Sequence, residues 1–163
     1  MRSRRDMERA AERWYPQRNR TSPGEGAAVE LVSNPGGPFT VTTGWTGAFG
    51  GSLSIVSDNI RVTEDGGDGT QARAVSPPIA TVVGRAYRVT ASMGPCSGAQ
   101  QNIGVGNNSN GAGAHTSQLA PASTVTVFTF TATATITYFR YLTEETTAGA
   151  TADLISLSVR LLQ

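Results

Sequence analysis

A chain of 163 residues, 38% hydrophobic and 15% charged, has room for one domain with a core of ordinary size plus an appendage. Its 19 Gly, with abundant Thr, Ala and Ser, suit a β-rich protein with many turns, and the fold class read from them is mainly β. A single cysteine excludes an internal disulfide, and no stretch approaches the ~20 apolar residues of a membrane-spanning helix.

The net charge of +1 hides an asymmetry. Residues 1–20 hold seven Arg against Asp6, Glu8 and Glu12, whereas the remainder holds six Arg against nine acids. Ser3-Arg4-Arg5-Asp6 has the form of a capping box, and Met7, Ala10, Ala11 and Trp14 follow at i, i+3, i+4 and i+7, one apolar stripe on a helix that Pro16 stops. A helix of about twelve residues is marginal alone in water, so the stripe must dock on its own β-domain or on another chain. Arg5, Arg9, Arg13, Arg18 and Arg20 accompany it. Arginines interleaved with acids differ from the purer cationic run of a nucleic-acid tail and point to an acidic protein surface. Gln17–Ala27 is aperiodic and Gly/Pro-containing, a linker. The expected organisation is an N-terminal basic helical arm and linker over 1–26 and a β-domain over 27–163. Met1–Arg20 has no apolar signal-peptide core, so synthesis in a cytoplasm is expected.

The β-domain is read as starting at Ala28–Ser33, followed by a turn at Asn34–Pro38 and a short strand at Phe39–Thr42. Leu53–Ser57, Asn59–Thr63, Gln71–Val75 and Ile79–Val83 are strand material, with Asp65–Gly69 as a hairpin loop and Pro77-Pro78 as an edge or corner. In Ala86–Met93, Tyr87, Val89, Ala91 and Met93 share one face. Gly94–Ala122, rich in Gly and Asn, leaves only Ile103 and Val105 as a short strand; long loops carry function, so Asn107, Asn108, Asn110 and His115 are candidate ligand residues, the alternative being a plain connection or a subunit contact. Val125–Leu142 is dominated by β-branched and aromatic residues, with small or apolar residues alternating with Thr between Phe128 and Tyr138, over about three strand lengths, which predicts two strands, one ending near Phe130 and one starting near Thr135. Thr143–Ala150 is a polar turn, and Ile155, Leu157, Val159 and Leu161 close the chain as a strand with one buried face.

Catalytic chemistry is not legible. The one histidine, His115, lies in the Gly/Ala/Asn loop outside any G-x-S-x-G context, and Cys96 has no positioned base at a recognisable spacing. Glu64, Asp65, Asp68, Glu144, Glu145 and Asp153 read as solvated turn residues rather than a glycosidase pair. Trp45 reads as a packing residue; Tyr138 and Tyr141 fall on opposite faces of one strand, so one of them is free to face outward.

Leu31-Val-Ser-Asn-Pro-Gly36 with Gly44-Trp45, then Ile79–Ala91, and finally Thr135–Tyr141 followed by Ala152–Leu157 together resemble the jelly-roll β-sandwich of carbohydrate-binding modules and galactose-binding-like domains, which also occurs in virion proteins of tailed bacteriophages. The resemblance implies an antiparallel jelly-roll sandwich over roughly 28–163. It also implies a structural calcium held by an Asp just before the last strand, here Asp153, although the carboxylate usual after the aromatic following the Asn-Pro-Gly turn is here Thr40. No other cofactor is expected. With the arm and the missing catalytic set, the functional expectation is a non-enzymatic virion structural protein, a capsid decoration or a head or tail fibre attachment. It would be anchored by its arm to other virion subunits and self-associated, with no membrane partner. The alternative is a carbohydrate-binding module recognising surface polysaccharide.

Overall fold

The computed structural model describes Leu31 and residues 39–66, 71–98 and 100–162; the helical arm expected at residues 1–26, the strand expected at Ala28–Ser33 other than Leu31, and the Asn34–Pro38 turn lie outside them. The described residues form eleven strands: β1 Thr46–Ala48, β2 Gly51–Val56, β3 Asn59–Glu64, β4 Arg73–Val75, β5 Ile79–Ala80, β6 Ala86–Cys96, β7 Gln100–Gly106, β8 Thr116–Pro121, β9 Val125–Thr131, β10 Ile136–Thr143 and β11 Thr151–Leu161. They build two antiparallel sheets, one ordered β1-β4-β10-β7-β8 with β5 also on β10, the other β2-β3-β11-β6-β9. Among the described residues no helix is long and apolar enough to cross a membrane.

Two connections join neighbouring strands of one sheet as hairpins, β2–β3 and β7–β8; most of the others carry the chain across the sandwich. The β2–β3 turn places Ser57 and Asp58 at φ 49° and 65°, the left-handed pair that matches the twist of a two-residue hairpin. The Val125–Leu142 run divides as its length requires, into β9 and β10. These lie in opposite sheets, so residues 132–135 pass between the layers, tied by Ala132 N to Arg85 O and Thr81 N to Thr135 O, both at 2.9 Å.

Alternation decides which side of each strand is buried. Ile60 and Val62 of β3, Tyr87, Val89, Ala91 and Met93 of β6, Phe128 and Phe130 of β9, and Leu154, Leu157 and Val159 of β11 meet Ala74, Ile103, Val105, Phe139 and Tyr141 from the facing sheet in one core. Tyr141 hydrogen-bonds across the sandwich, its hydroxyl donating to Ile60 O at 2.7 Å. Trp45 packs edge-on against Phe39, Phe139 and Tyr141, the packing role expected for it.

Burial holds the Tyr141 phenol well above its ordinary value near 10, with the Asp153 charge adding to the effect. The native value exceeds the unfolded one, so the contribution to stability is complete below pH 10 and declines as pH rises from there toward the native value. The Tm of the wild type should therefore fall more steeply between pH 9 and 11 than that of Tyr141→Phe, whose lost hydrogen bond costs about 1 kcal/mol at neutral pH. Equal slopes in thermal melts would contradict this.

Several sequence expectations are corrected. Phe39–Thr42 is not a strand: Phe39 is anchored by its buried ring and by its N–H on Asp58 O at 2.8 Å. β3 and β4, on either side of the expected Asp65–Gly69 hairpin loop, lie in opposite sheets and so do not form a hairpin. Ile79–Val83 is strand only at Ile79–Ala80, and Val82 and Val83 are exposed in the following turn. Gly94–Ala122 is mostly sheet, since it contains the end of β6 and all of β7 and β8; its glycines allow close layering rather than looseness. Ile155 leaves the buried face because the β11–β6 register shifts between Leu154 and Ser156, a bulge that resets the alternation. Glu64 is not a solvated turn residue: it is 1% exposed and accepts from the backbone N–H groups of Ala72 at 2.7 Å and Gly66 at 3.1 Å.

Candidate functional site

On the outer side of the six-stranded sheet, register places Tyr138 opposite Gly106, Arg140 opposite Gly104 and Leu142 opposite Asn102. The β7–β8 loop, residues 107–115, folds back over this face. A Cβ on Gly106 would stand 3.1 Å from Gly113 O and 3.2 Å from Ala114 Cα, and one on Gly111 (φ 73°) only 2.9 Å from Val75 Cγ2. Glycine at both positions lets the loop lie directly on the sheet. Loop and sheet together line a shallow, open depression of about 520 Å³, bounded by Asn107, Asn108, Ser109, Ala112, Gly113, His115 and Tyr138.

The loop is braced from inside. Asn108 Oδ1 accepts from Asn110 N (3.2 Å), Asn110 Oδ1 accepts from Ala112 N (2.9 Å), and Gly111 N donates to Asn108 O (3.0 Å), Asx-type turns that let short amides replace backbone partners. Asn107 Nδ2 donates to Thr133 Oγ1 at 3.0 Å, and the same hydroxyl lies 3.2 Å from His115 Nε2. Thr133, in the β9–β10 crossing, thus fixes both side chains to the sandwich. His115 N donates to Val105 O at 2.8 Å, anchoring the loop's far end.

Of the loop residues named from the sequence, Asn107, Asn108 and His115 line the depression together, while Asn110 spends its side-chain oxygen on the loop itself. Tyr138 supplies the floor: it is half-buried, whereas Tyr141 is fully buried, the split implied by their parity. Thr133, which holds Asn107 and His115, is not legible from the sequence as a site residue. The arm residues Met7, Ala10, Ala11, Trp14, Arg5, Arg9, Arg13, Arg18 and Arg20 lie outside the described residues.

Asp153 sits behind Arg61, whose Nε and Nη2 reach its two carboxylate oxygens at 2.7 and 2.8 Å. This fork-on-fork pair, on a carboxylate only 2% exposed, raises the arginine. The carboxylate expected to face calcium therefore has a guanidinium partner, and among the described residues no three His, Cys, Asp or Glu side chains group together. Cys96 is half-buried with Sγ donating to Gly98 O at 2.9 Å, and desolvation raises its thiol, which lowers its thiolate fraction and reactivity.

No family model and no curated protein matches the chain. Solved structures with the same arrangement include carbohydrate-binding modules. The CBM22-1 xylan-binding domain of Paenibacillus barcinonensis Xyn10C aligns over 84% of this chain and 97% of its own, with 11% identity and a TM-score of 0.55.

The fold is a jelly-roll β-sandwich of the carbohydrate-binding-module type.

Two larger chains carry this jelly roll as a part. An arabinose-bound α-L-arabinofuranosidase (MgGH51) matches 84% of this chain at 14% identity and a TM-score of 0.60, and this chain spans 27% of it. The enzymatically active domain of bacteriophage CBA120 tailspike protein 4 matches 82% at 13% identity and a TM-score of 0.54, and this chain spans 22% of it. At such identities the likeness is one of fold, and the jelly roll is shared by modules, glycosidases and virion proteins.

Proposed function

We infer that the protein is a non-catalytic carbohydrate-binding module that holds a polysaccharide chain on the outer face of its six-stranded sheet, in the open depression lined by the 107–115 loop and Tyr138. The observation that carries this reading is Tyr138, a half-buried ring on the floor of the depression with Asn107, Asn108, Ser109 and His115 around it. Sugar rings present an apolar face ringed by hydroxyls, so an aromatic platform with amides and a hydroxyl at its rim supplies both components of recognition. The Thr133 tether holds Asn107 and His115 before a ligand arrives, which reduces the ordering cost of binding.

The likeness to xylan- and cellulose-binding domains supports this reading better than the virion role that the sequence suggests. Virion anchoring rests on the N-terminal arm, outside the described residues, and on a jelly roll shared with part of a tailspike. Native affinity electrophoresis through gels cast with soluble polysaccharides tests the proposal. Retardation by at least one polymer, relative to a gel without polysaccharide, is expected; uniform mobility across a broad panel would overturn it.

A further inference from the structure

Among the described residues three arginines are partly buried, and one of these three is neutralised. Arg61 has Asp153. Arg73 and Arg140 instead share one neutral acceptor: Arg140 Nη1 donates to Gly111 O at 2.7 Å and Arg73 Nη1 to the same oxygen at 3.3 Å. The Nε of each is buried and has no hydrogen-bond partner among the described residues, and neither has a carboxylate partner among them. Arg73 also lies over the Phe49 ring, 4.1 Å from its centroid. Desolvation lowers both groups, and Arg140 is lowered further by Arg73.

Two cations gathered on a single carbonyl without a counter-charge are costly to hold unless something pairs with them. Guanidinium groups match planar or tetrahedral oxyanions through forked hydrogen bonds. The pair stands next to the depression: Arg140 lies two residues from Tyr138 on the same strand face, roughly 7 Å along it, and Gly111 belongs to the loop whose Ala112 and Gly113 line the depression. We propose that Arg73 and Arg140 form an oxyanion seat, so that the glycan held over Tyr138 is an acidic one bearing carboxylate or sulfate groups. The inference rests on the reading of the depression as a glycan site and specifies its substrate class.

Isothermal titration of the full-length protein against paired polymers tests it: pectate beside methyl-esterified pectin, glucuronoxylan beside arabinoxylan, and dextran sulfate beside dextran. At least one acidic member should bind tenfold or more tighter than its neutral partner, and the pair that shows this identifies the anion as carboxylate or sulfate. Arg140→Gln and Arg73→Gln, checked for folding by thermal melts, should each bring that preference toward parity. Arg88→Gln, an exposed arginine on the opposite sheet, should leave it unchanged. Equal binding of acidic and neutral members by the wild type overturns the oxyanion seat while leaving the glycan site standing, as does a preference that survives both substitutions or falls equally with Arg88→Gln. Absence of binding to every polymer overturns both readings.

Discussion

Phe139→Ala should destabilise the protein by about 3–5 kcal/mol, the cost of removing a fully buried aromatic ring and leaving a cavity. Phe139 is 0% exposed at the centre of β10, a strand that pairs with β4, β5 and β7. Its ring stands 6.5 Å from those of Trp45 and of Tyr141, so truncation also loosens the aromatic cluster that joins the first described segment to the six-stranded sheet. Sandwich cores collapse poorly because both layers are fixed by ladder hydrogen bonds, which places the effect in the upper part of the range. At 2–4 °C per kcal/mol for a chain of this size, the Tm should drop by roughly 6–20 °C. Val125→Ala, at a residue 63% exposed, should stay within about 0.5 kcal/mol. A loss below 1 kcal/mol at Phe139 in denaturant titrations would contradict the described core.

Tyr138→Ala should do the reverse, sparing the fold and removing binding. The ring lies opposite Gly106, which offers no side chain for it to pack against, so little of the core depends on it. An aromatic anchor at the centre of a binding surface contributes about 2 kcal/mol or more, equivalent to a loss of affinity of roughly thirtyfold. Tyr138→Phe, which keeps the ring and loses the hydroxyl, should retain most of the affinity if stacking dominates. The contrast between the two substitutions, read by titration with whichever polysaccharide retards the wild type, separates platform from hydrogen bond. Unchanged affinity in Tyr138→Ala would remove the floor from the proposed site.

The alternation of β-branched and aromatic residues made the central strands legible, since in Val125–Leu142 period two and sheer length together demand two strands. It also made the Tyr138/Tyr141 division legible, because adjacent parities must face opposite ways. The stretch from Gly94 to Ala122 reads as loop for a physical reason: glycine signals a turn by composition, yet in β7 it marks close approach, with Gly106 lying beneath the returning loop. The burial of Glu64 could not be seen either, since a carboxylate at a strand end reads as solvated until the backbone N–H groups of Ala72 and Gly66 are brought to it. Likewise the Arg61–Asp153 pair spans 92 residues, and no local pattern announces which acid an arginine will meet. The shared Gly111 carbonyl under Arg73 and Arg140 is a product of three separate segments and of a loop conformation that only the assembled sheet enforces.

The central claim is that ligand binds in the depression lined by the 107–115 loop and rests on Tyr138. Backbone amide chemical shifts recorded by NMR during titration with a soluble oligosaccharide from a retarding polymer test it most directly. The largest changes should fall on residues 107–115, Thr133 and 136–140. An alternative location is the opposite face, where Arg88, Thr90, Ser158 and Arg160 line another depression of about 370 Å³; changes centred there, with residues 107–115 and Tyr138 silent, would contradict the account.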